Sequence, residues 1–230
     1  MFFVMFLKKE CKNMRKYNFD VILFDLDGTL TDSVDGILNA LWYACKVNNL
    51  RIPDKQEMME FVGPPMTNSF SSHFGLTGDA LTKAIKDYRS YYETKGWKEN
   101  KVYDGIYDAL DELKKKGKIL GLATNKPQHS MQWIMEYFGL DKYFDFMGGS
   151  NEAEGRNGKA KVIEYTLENL GIKDRSKAVM VGDRRFDTDG AREMGIRAIG
   201  VEYGYGSYLE LIKSGVLDSV RTPKELCQIL

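Results

Sequence analysis

Asp25 and Asp27, followed at once by Gly28 and Thr29, are the residues whose types and spacing most clearly offer chemistry. If the backbone is still extended there, residues two apart project to the same side. Two carboxylates held that close repel unless one is protonated or a cation lies between them. Both outcomes are useful. An ionised Asp can attack phosphorus, its neighbour can carry the proton a leaving group needs, and Mg²⁺ can bridge the first carboxylate to an anionic substrate. The plainer alternative is that the acids decorate a turn or cap the next helix. A calcium loop of the EF-hand kind is ruled out because Gly28 comes before a third acidic or amide position.

Three later stretches carry matching chemistry. Thr124 can donate its hydroxyl to a phosphate oxygen, with the Asn125 backbone N–H as a second donor; the competing reading is a helix cap. Lys159 opens a helical stretch, where a cation is disfavoured by the helix dipole unless an anion lies beside it. Arg156 and Lys161 are rivals for that role, and a solvated surface lysine is the alternative to all three. The run around Lys159 is not a phosphate-binding P-loop: Ala153 stands at the first glycine position and Ala160 at the Ser/Thr position. Asp183 and Asp187 form a second acidic pair. Carboxylates without nearby His or Cys suit Mg²⁺ rather than zinc or copper, although Arg184 and Arg185 offer these acids structural partners instead.

These residues need elements to hold them. Val21-Ile22-Leu23-Phe24 is a short apolar run that reads as a strand buried on both faces and ending at Asp25. Residues 31–97 read as helical: Asp32 or Ser33 caps a helix through Val34, Ile37, Leu38, Leu41, Trp42 and Cys45, and further helices follow either side of Gly63-Pro64-Pro65. Beyond Lys101 helices and strands alternate. Strands are expected at Ile119–Ala123, Phe144–Met147, Ala178–Val181 and Arg197–Val201, with helices over Tyr103–Lys116, from Pro127 to Phe138 and over Lys159–Leu170. Alternation of this kind predicts an α/β fold, a doubly wound parallel sheet that binds ligands at the carboxyl ends of its strands. Thr124, Asp183 and Asp25 all fall at such ends, and the helical insert would lie over them as a lid.

The totals exclude several function classes. In 230 residues, Lys+Arg and Asp+Glu are equal at 33 each, so overall charge recruits neither a nucleic acid polymer nor an anionic membrane. Cys11, Cys45 and Cys227 are isolated, which argues against a disulfide framework or zinc site and for a reducing cytoplasm. Apolar residues 1–7 precede the basic Lys8, Lys9, Lys12, Arg15 and Lys16, the reverse of a secretory signal, and are too few to span a bilayer. Residues 1–16 are read as an extension outside the folded body, with Met14 a rival to Met1 as the true start. Tyr88, Tyr91 and Tyr92 could stack on a base, but their spacing reads as a helix face packing inward.

Taken in order, Asp25-Leu26-Asp27-Gly28-Thr29, Thr124, Lys159 and Gly182-Asp183 through Asp187 resemble the four motifs of the haloacid dehalogenase superfamily of aspartate-nucleophile phosphohydrolases. The resemblance runs from about Tyr17 to the C-terminus. The helical insert is similar to the small cap of the phosphoglycolate phosphatase-like branch, and Phe61-Val62-Gly63-Pro64-Pro65 and Gly200 to Ser207 resemble bacterial proteins labelled phosphoglycolate phosphatase or 5′-nucleotidase. Lys159-Ala160 departs from the branch's Lys-Pro form, which leaves Lys161 a competitor for the family lysine. The resemblance implies a Rossmann-like core (17–30 and 98–230) and a cap (31–97). It implies Asp25 as nucleophile, Asp27 as acid and base, and Mg²⁺ held by Asp25, the Asp27 carbonyl and Asp183 with Asp187 in support. Gly28, Thr29, Thr124, Asn125 and Lys159 would hold phosphate, and the cap loop Gly63, Pro64, Pro65 and Met66 would read the organic part.

The implied activity is Mg²⁺-dependent hydrolysis of a small phosphorylated metabolite, phosphoglycolate or a nucleoside 5′-monophosphate; no oligomeric state is implied. A phosphosugar mutase of the β-phosphoglucomutase kind would carry a histidine early in the cap helix, whereas His73 and His129 lie elsewhere. A haloacid dehalogenase has no need of Asp27. A catalytically silent binding protein would be expected to have lost Asp25, Asp27 or Lys159.

Overall fold

The structure, a computed structural model, describes residues 15–230. The question of Met1 or Met14, and all but the last two residues of the expected 1–16 extension, fall outside the described residues. Six parallel strands form the main sheet: β1 (Val21–Phe24), β4 (Ile119–Pro127), β5 (Phe146–Ser150), β6 (Ala178–Gly182), β7 (Arg197–Val201) and β8 (Asp218–Val220). Their order is β5-β4-β1-β6-β7-β8, the doubly wound arrangement expected. The chain builds outward from β1 on one side, then returns to build on the other. A crevice therefore opens at the carboxyl end of β1, between β4 and β6.

All four residues of β1 are buried, as a strand covered on both faces requires. Side-chain alternation divides them between two layers. Ile22 and Phe24 pack with Leu110 of α5 (Ile106–Lys115), Met131 of α6 (Gln128–Tyr137) and Leu226 of α10 (Pro223–Ile229). Val21 and Leu23 pack with Val162 and Ile163 of α7 (Lys159–Asn169) and Ala191 of α8 (Arg185–Glu193). A short α9 (Tyr208–Ser214) follows β7.

Between β1 and β4 the chain leaves the sheet. A two-stranded antiparallel ribbon, β2 (Thr31–Asp32) with β3 (Lys101–Val102), brackets the excursion, pairing Thr31 with Val102. Inside it lie α1 (Val34–Val47), α2 (Lys55–Met59), α3 (Met66–Phe74) and α4 (Gly78–Thr94). Their apolar faces make a separate core around Leu41, Phe61, Phe70 and Tyr88. No helix among the described residues is long and apolar enough to cross a membrane.

Several local expectations change. The ribbon and β8 are strands of two or three residues that carry no periodic signal. Ser33 does precede α1, but neither its side chain nor that of Asp32 caps the helix; the Ser33 hydroxyl is committed to Asp27 instead. The strand expected to end at Ala123 runs on to Pro127, with its register against β5 shifting between Ala123 and Pro127. That irregularity carries Thr124, Asn125 and Lys126 past the regular ladder, at the mouth of the crevice.

Candidate active site

Asp25 continues β1 by one hydrogen bond, its N–H donating to the Val181 carbonyl of β6 at 2.9 Å. Its carboxylate is thereby held where β1, β4, β6 and the start of α7 meet. Lys159 reaches this point from the first residue of α7. Its side chain is buried; Nζ donates to the Ala123 carbonyl at 3.0 Å and lies 2.8 Å from both Asp25 Oδ1 and Asp187 Oδ1. The two anions supply what a cation at a helix N-terminus lacks. The rivals are engaged elsewhere. Lys161 is exposed and pairs with Glu164, while Arg156 is tied to the Gly149 carbonyl and Glu154.

Asp183, at the turn after β6, and Asp187, in the first turn of α8, complete an acidic cluster with Asp25, their oxygens within 4.8 Å of one another. Asp183 is wholly buried. One of its oxygens accepts the Tyr205 N–H at 2.7 Å and the other the Thr29 hydroxyl at 3.5 Å. Asp187 Oδ2 accepts the Arg184 N–H at 3.1 Å. The Arg184 side chain does not pair with these acids; it bonds Glu210 at 2.9 Å and, across to the helical insert, the Val62 carbonyl at 2.7 Å.

Burial pushes the Asp25 carboxyl up to about 6; Lys159 opposes the rise and Asp187 adds to it. Burial, then the charges of Asp187 and Asp25, hold Asp183 well above the usual carboxylate range. Three carboxylates, two buried and that of Asp25 half-buried, against one lysine leave the cluster short of positive charge. The Oδ1 atoms of Asp25 and Asp187 are buried without an aligned hydrogen bond, Lys159 notwithstanding. An oxygen-only donor set with orphaned lone pairs fits a hard divalent cation of the Mg²⁺ type. Gly28 is required beside it: φ is +83°, and a Cβ there would fall within 3 Å of the Asp183 carboxylate.

Asp27 has a different set of partners. Oδ1 accepts the Ser33 hydroxyl at 2.5 Å, and Lys126 Nζ lies 3.0 Å from Oδ1 and 2.7 Å from Oδ2. Burial lowers the proton affinity of the Lys126 ammonium, but the Asp27 charge outweighs it and holds the group above its ordinary range. Each aspartate of the pair thus has its own lysine. The sequence reading did not single out Lys126, although it stood between Asn125 and Pro127 in a stretch already marked.

The cavity over Asp25 has a volume of about 710 Å³. Asp27, Thr124, Asn125, Lys126, Lys159 and Asp187 line it from below, and Phe61, Gly63, Pro64, Pro65, Met66, Tyr88 and Tyr92 from the helical insert. Thr124 Oγ1 accepts the Lys126 N–H at 3.2 Å, and Asn125 Oδ1 is buried with no partner. Tyr88 and Tyr92 do pack inward, stacked on each other at 6.0 Å, yet both also face the cavity. Two expected phosphate contacts are not on its wall. The Gly28 N–H is spent on the Thr31 carbonyl at 2.7 Å, and Thr29 turns its buried side chain toward Asp183, because the tight turn from Leu26 to Thr31 uses these groups internally.

Residues 22–201 match the family described as haloacid dehalogenase-like hydrolase. The chain is 36% identical over 190 residues to a 5′-nucleotidase of Pseudomonas aeruginosa, covering 83% of this chain and 86% of that protein. It is 34% identical over 212 residues to the tyrosine-protein kinase PtkA of Mycobacterium tuberculosis, covering 91% of this chain and 72% of that one. Among solved structures, a predicted phosphatase from Clostridium acetobutylicum superposes with a TM-score of 0.87 at 40% identity, covering 92% of this chain and 98% of the other.

Proposed function

Because the chain belongs to the haloacid dehalogenase-like hydrolases and is a phosphatase of that family, we propose that it hydrolyses small phosphomonoesters through an aspartyl-phosphate formed on Asp25. The observation that carries this reading is the convergence of the β1, β4 and β6 ends, with Lys159, on one carboxylate at the floor of a cavity that the helical insert overhangs.

In the first half-reaction an Asp25 carboxylate oxygen attacks phosphorus in line. The new O–P bond forms as the ester P–O bond breaks, and Asp27 gives its proton to the departing oxygen. In the second, Asp27 takes a proton from the water that attacks the phosphorus and releases Asp25. Lys159 and the Thr124 hydroxyl hold the remaining phosphoryl oxygens, whose charge grows as transfer proceeds. Asp25, Asp183 and the Asp27 carbonyl, with Asp187 in support, would hold Mg²⁺, which supplies charge neutralisation between carboxylate and phosphate. The loop Gly63–Met66 reads the organic part, and the helical insert keeps bulk water out.

A cavity of about 710 Å³ is far roomier than a two-carbon acid needs, and Phe61, Tyr88 and Tyr92 offer it aromatic walls. This favours a nucleoside 5′-monophosphate over phosphoglycolate. A cytoplasmic location accords with Cys45 and Cys227, both buried and free. Phosphate release from a panel of nucleoside monophosphates, phosphoglycolate and sugar phosphates, with and without Mg²⁺, tests the reading. Mg²⁺-dependent release with a nucleotide preferred supports it; release from no ester would refute it.

A further inference from the structure

Lys126 is a buried cation for which the mechanism above has no use. Its side chain is 5% exposed, and among the described residues the one carboxylate it meets is Asp27. As a stabilising device such a pair is poor, since the loss of hydration of two buried charges offsets most of their attraction. Its geometry suggests a different purpose. Lys126 Nζ touches both oxygens of Asp27, and Ser33 donates to one of them, so the carboxylate is fixed against rotation from two sides. Lys126 is itself fixed through its N–H, which bonds the Thr124 hydroxyl, and through the register shift that turns it out of β4. Over the ammonium lies the ring of Tyr92, its centroid 4.7 Å from Nζ, at a distance where a cation is attracted to an aromatic face. Tyr92 belongs to α4 in the helical insert; Lys126 belongs to β4 of the sheet and Asp27 to the turn that follows β1.

We propose that Lys126 is the positioning residue for Asp27, and that Tyr92 makes this positioning depend on closure of the helical insert over the site. The proposal rests on the reading of Asp27 as proton donor and acceptor. On this account the lysine neither binds phosphate nor gives up a proton. It holds the carboxyl in the orientation from which Asp27 protonates the departing oxygen, and the lysine settles in that place only when the Tyr92 ring covers it. An open site then has a nucleophile but a misdirected acid.

The test uses two esters in saturating Mg²⁺: an alkyl phosphate, whose alkoxide must be protonated as it leaves, and 4-nitrophenyl phosphate, whose phenoxide departs without help. The value of kcat/KM reads only the transfer to Asp25. In Lys126→Met it should fall about 100-fold or more for the alkyl ester, the usual scale of a lost general acid, and by less than about threefold for the nitrophenyl ester. Nitrophenolate should then appear as a burst, because water activation by Asp27 is slowed as well. Tyr92→Leu should reproduce the selective loss in weaker form, while Tyr92→Phe, which keeps the ring, should leave the ratio of kcat/KM between the two esters as it is in the native chain. Tyr92→Leu leaves the ion pair intact and decides the matter if Lys126→Met does not fold. Equal losses on both esters would mark Lys126 as a phosphate ligand or a structural residue and overturn the proposal, as would a change in KM alone or no change. Hydrolysis of neither ester by the native chain would overturn the underlying reading of Asp25, and the proposal with it.

Discussion

Asp25→Asn should abolish activity and at the same time stabilise the metal-free protein. Asp25 shares its corner with Asp183 and Asp187, and burial with these neighbours raises its carboxyl from an ordinary 3.8 to about 6 in spite of Lys159. A carboxyl whose proton affinity rises on folding is favoured folded while protonated, and that advantage is lost as pH climbs from about 4 to 6. Above this window the ionised form burdens the fold by about 3 kcal/mol, at about 1.4 kcal/mol per tenfold change in proton affinity. Asparagine removes the charge and keeps the shape. Lys159 retains Asp187 at 2.8 Å, so the cation is not orphaned. That net shift already contains the attraction of Lys159, so the expected gain is about 3 kcal/mol, or about 6–12 °C in Tm for a chain of this size. The assay is thermal unfolding in chelator at several pH values. The difference between variant and native should be near zero at pH 4 and grow to its full size by pH 7. A variant less stable than native at pH 7, or a gain that does not change with pH, would refute the reasoning.

Other expectations follow from the same geometry. Mg²⁺ should raise Tm at pH 7.5 but less at pH 5, where Asp25, its carboxyl pushed up to about 6, keeps a proton that a cation must displace, and the raised proton affinity of Asp183 acts in the same direction; an equal shift at both would argue against these ligands. Gly28→Ala drives a methyl into the Asp183 carboxylate at a φ of +83°, so Mg²⁺ affinity by calorimetry should drop about 100-fold, on the scale of disturbed ligand support. Arg184→Met removes the 2.7 Å bond to the Val62 carbonyl, a charged bond on the order of 1.5–3 kcal/mol when buried. Amide exchange across residues 61–67 should then quicken about tenfold, the lower end of that range allowing for partial solvent screening at an 18% exposed side chain, with the rest of the protein unaltered.

The parts that could be read in the sequence were those whose signal is local. Four apolar residues ending in Asp25 and Asp27 mark a central strand and its chemistry, and apolar spacing of three and four marks α1 and α4. Thr31–Asp32, Lys101–Val102 and Asp218–Val220 were not legible, because two or three residues cannot display a period. Pro127 hid the continuation of β4, since proline normally ends a ladder. Lys126 escaped notice for a different reason. Its partner Asp27 lies 99 residues away and meets it only because β4 is the neighbour of β1, so no spacing rule connects them. Gly28 and Thr29 misled in the opposite direction: their types suit phosphate, but the turn that presents Asp25 consumes their donors. Arg184 stood beside two acids as their alternative structural partner, yet Glu210 and the Val62 carbonyl hold its side chain.

The central claim is that Asp25 becomes phosphorylated, and it can be read on the residue itself. The protein is incubated with Mg²⁺ and its best ester, quenched in acid, reduced with borohydride and mapped by mass spectrometry, a treatment that converts an aspartyl-phosphate to homoserine. The account predicts homoserine at position 25 alone, dependent on Mg²⁺ and on ester, and none in Asp25→Asn. Turnover of the ester with position 25 unmodified, or conversion at Asp27 or Asp183 in its place, would contradict it.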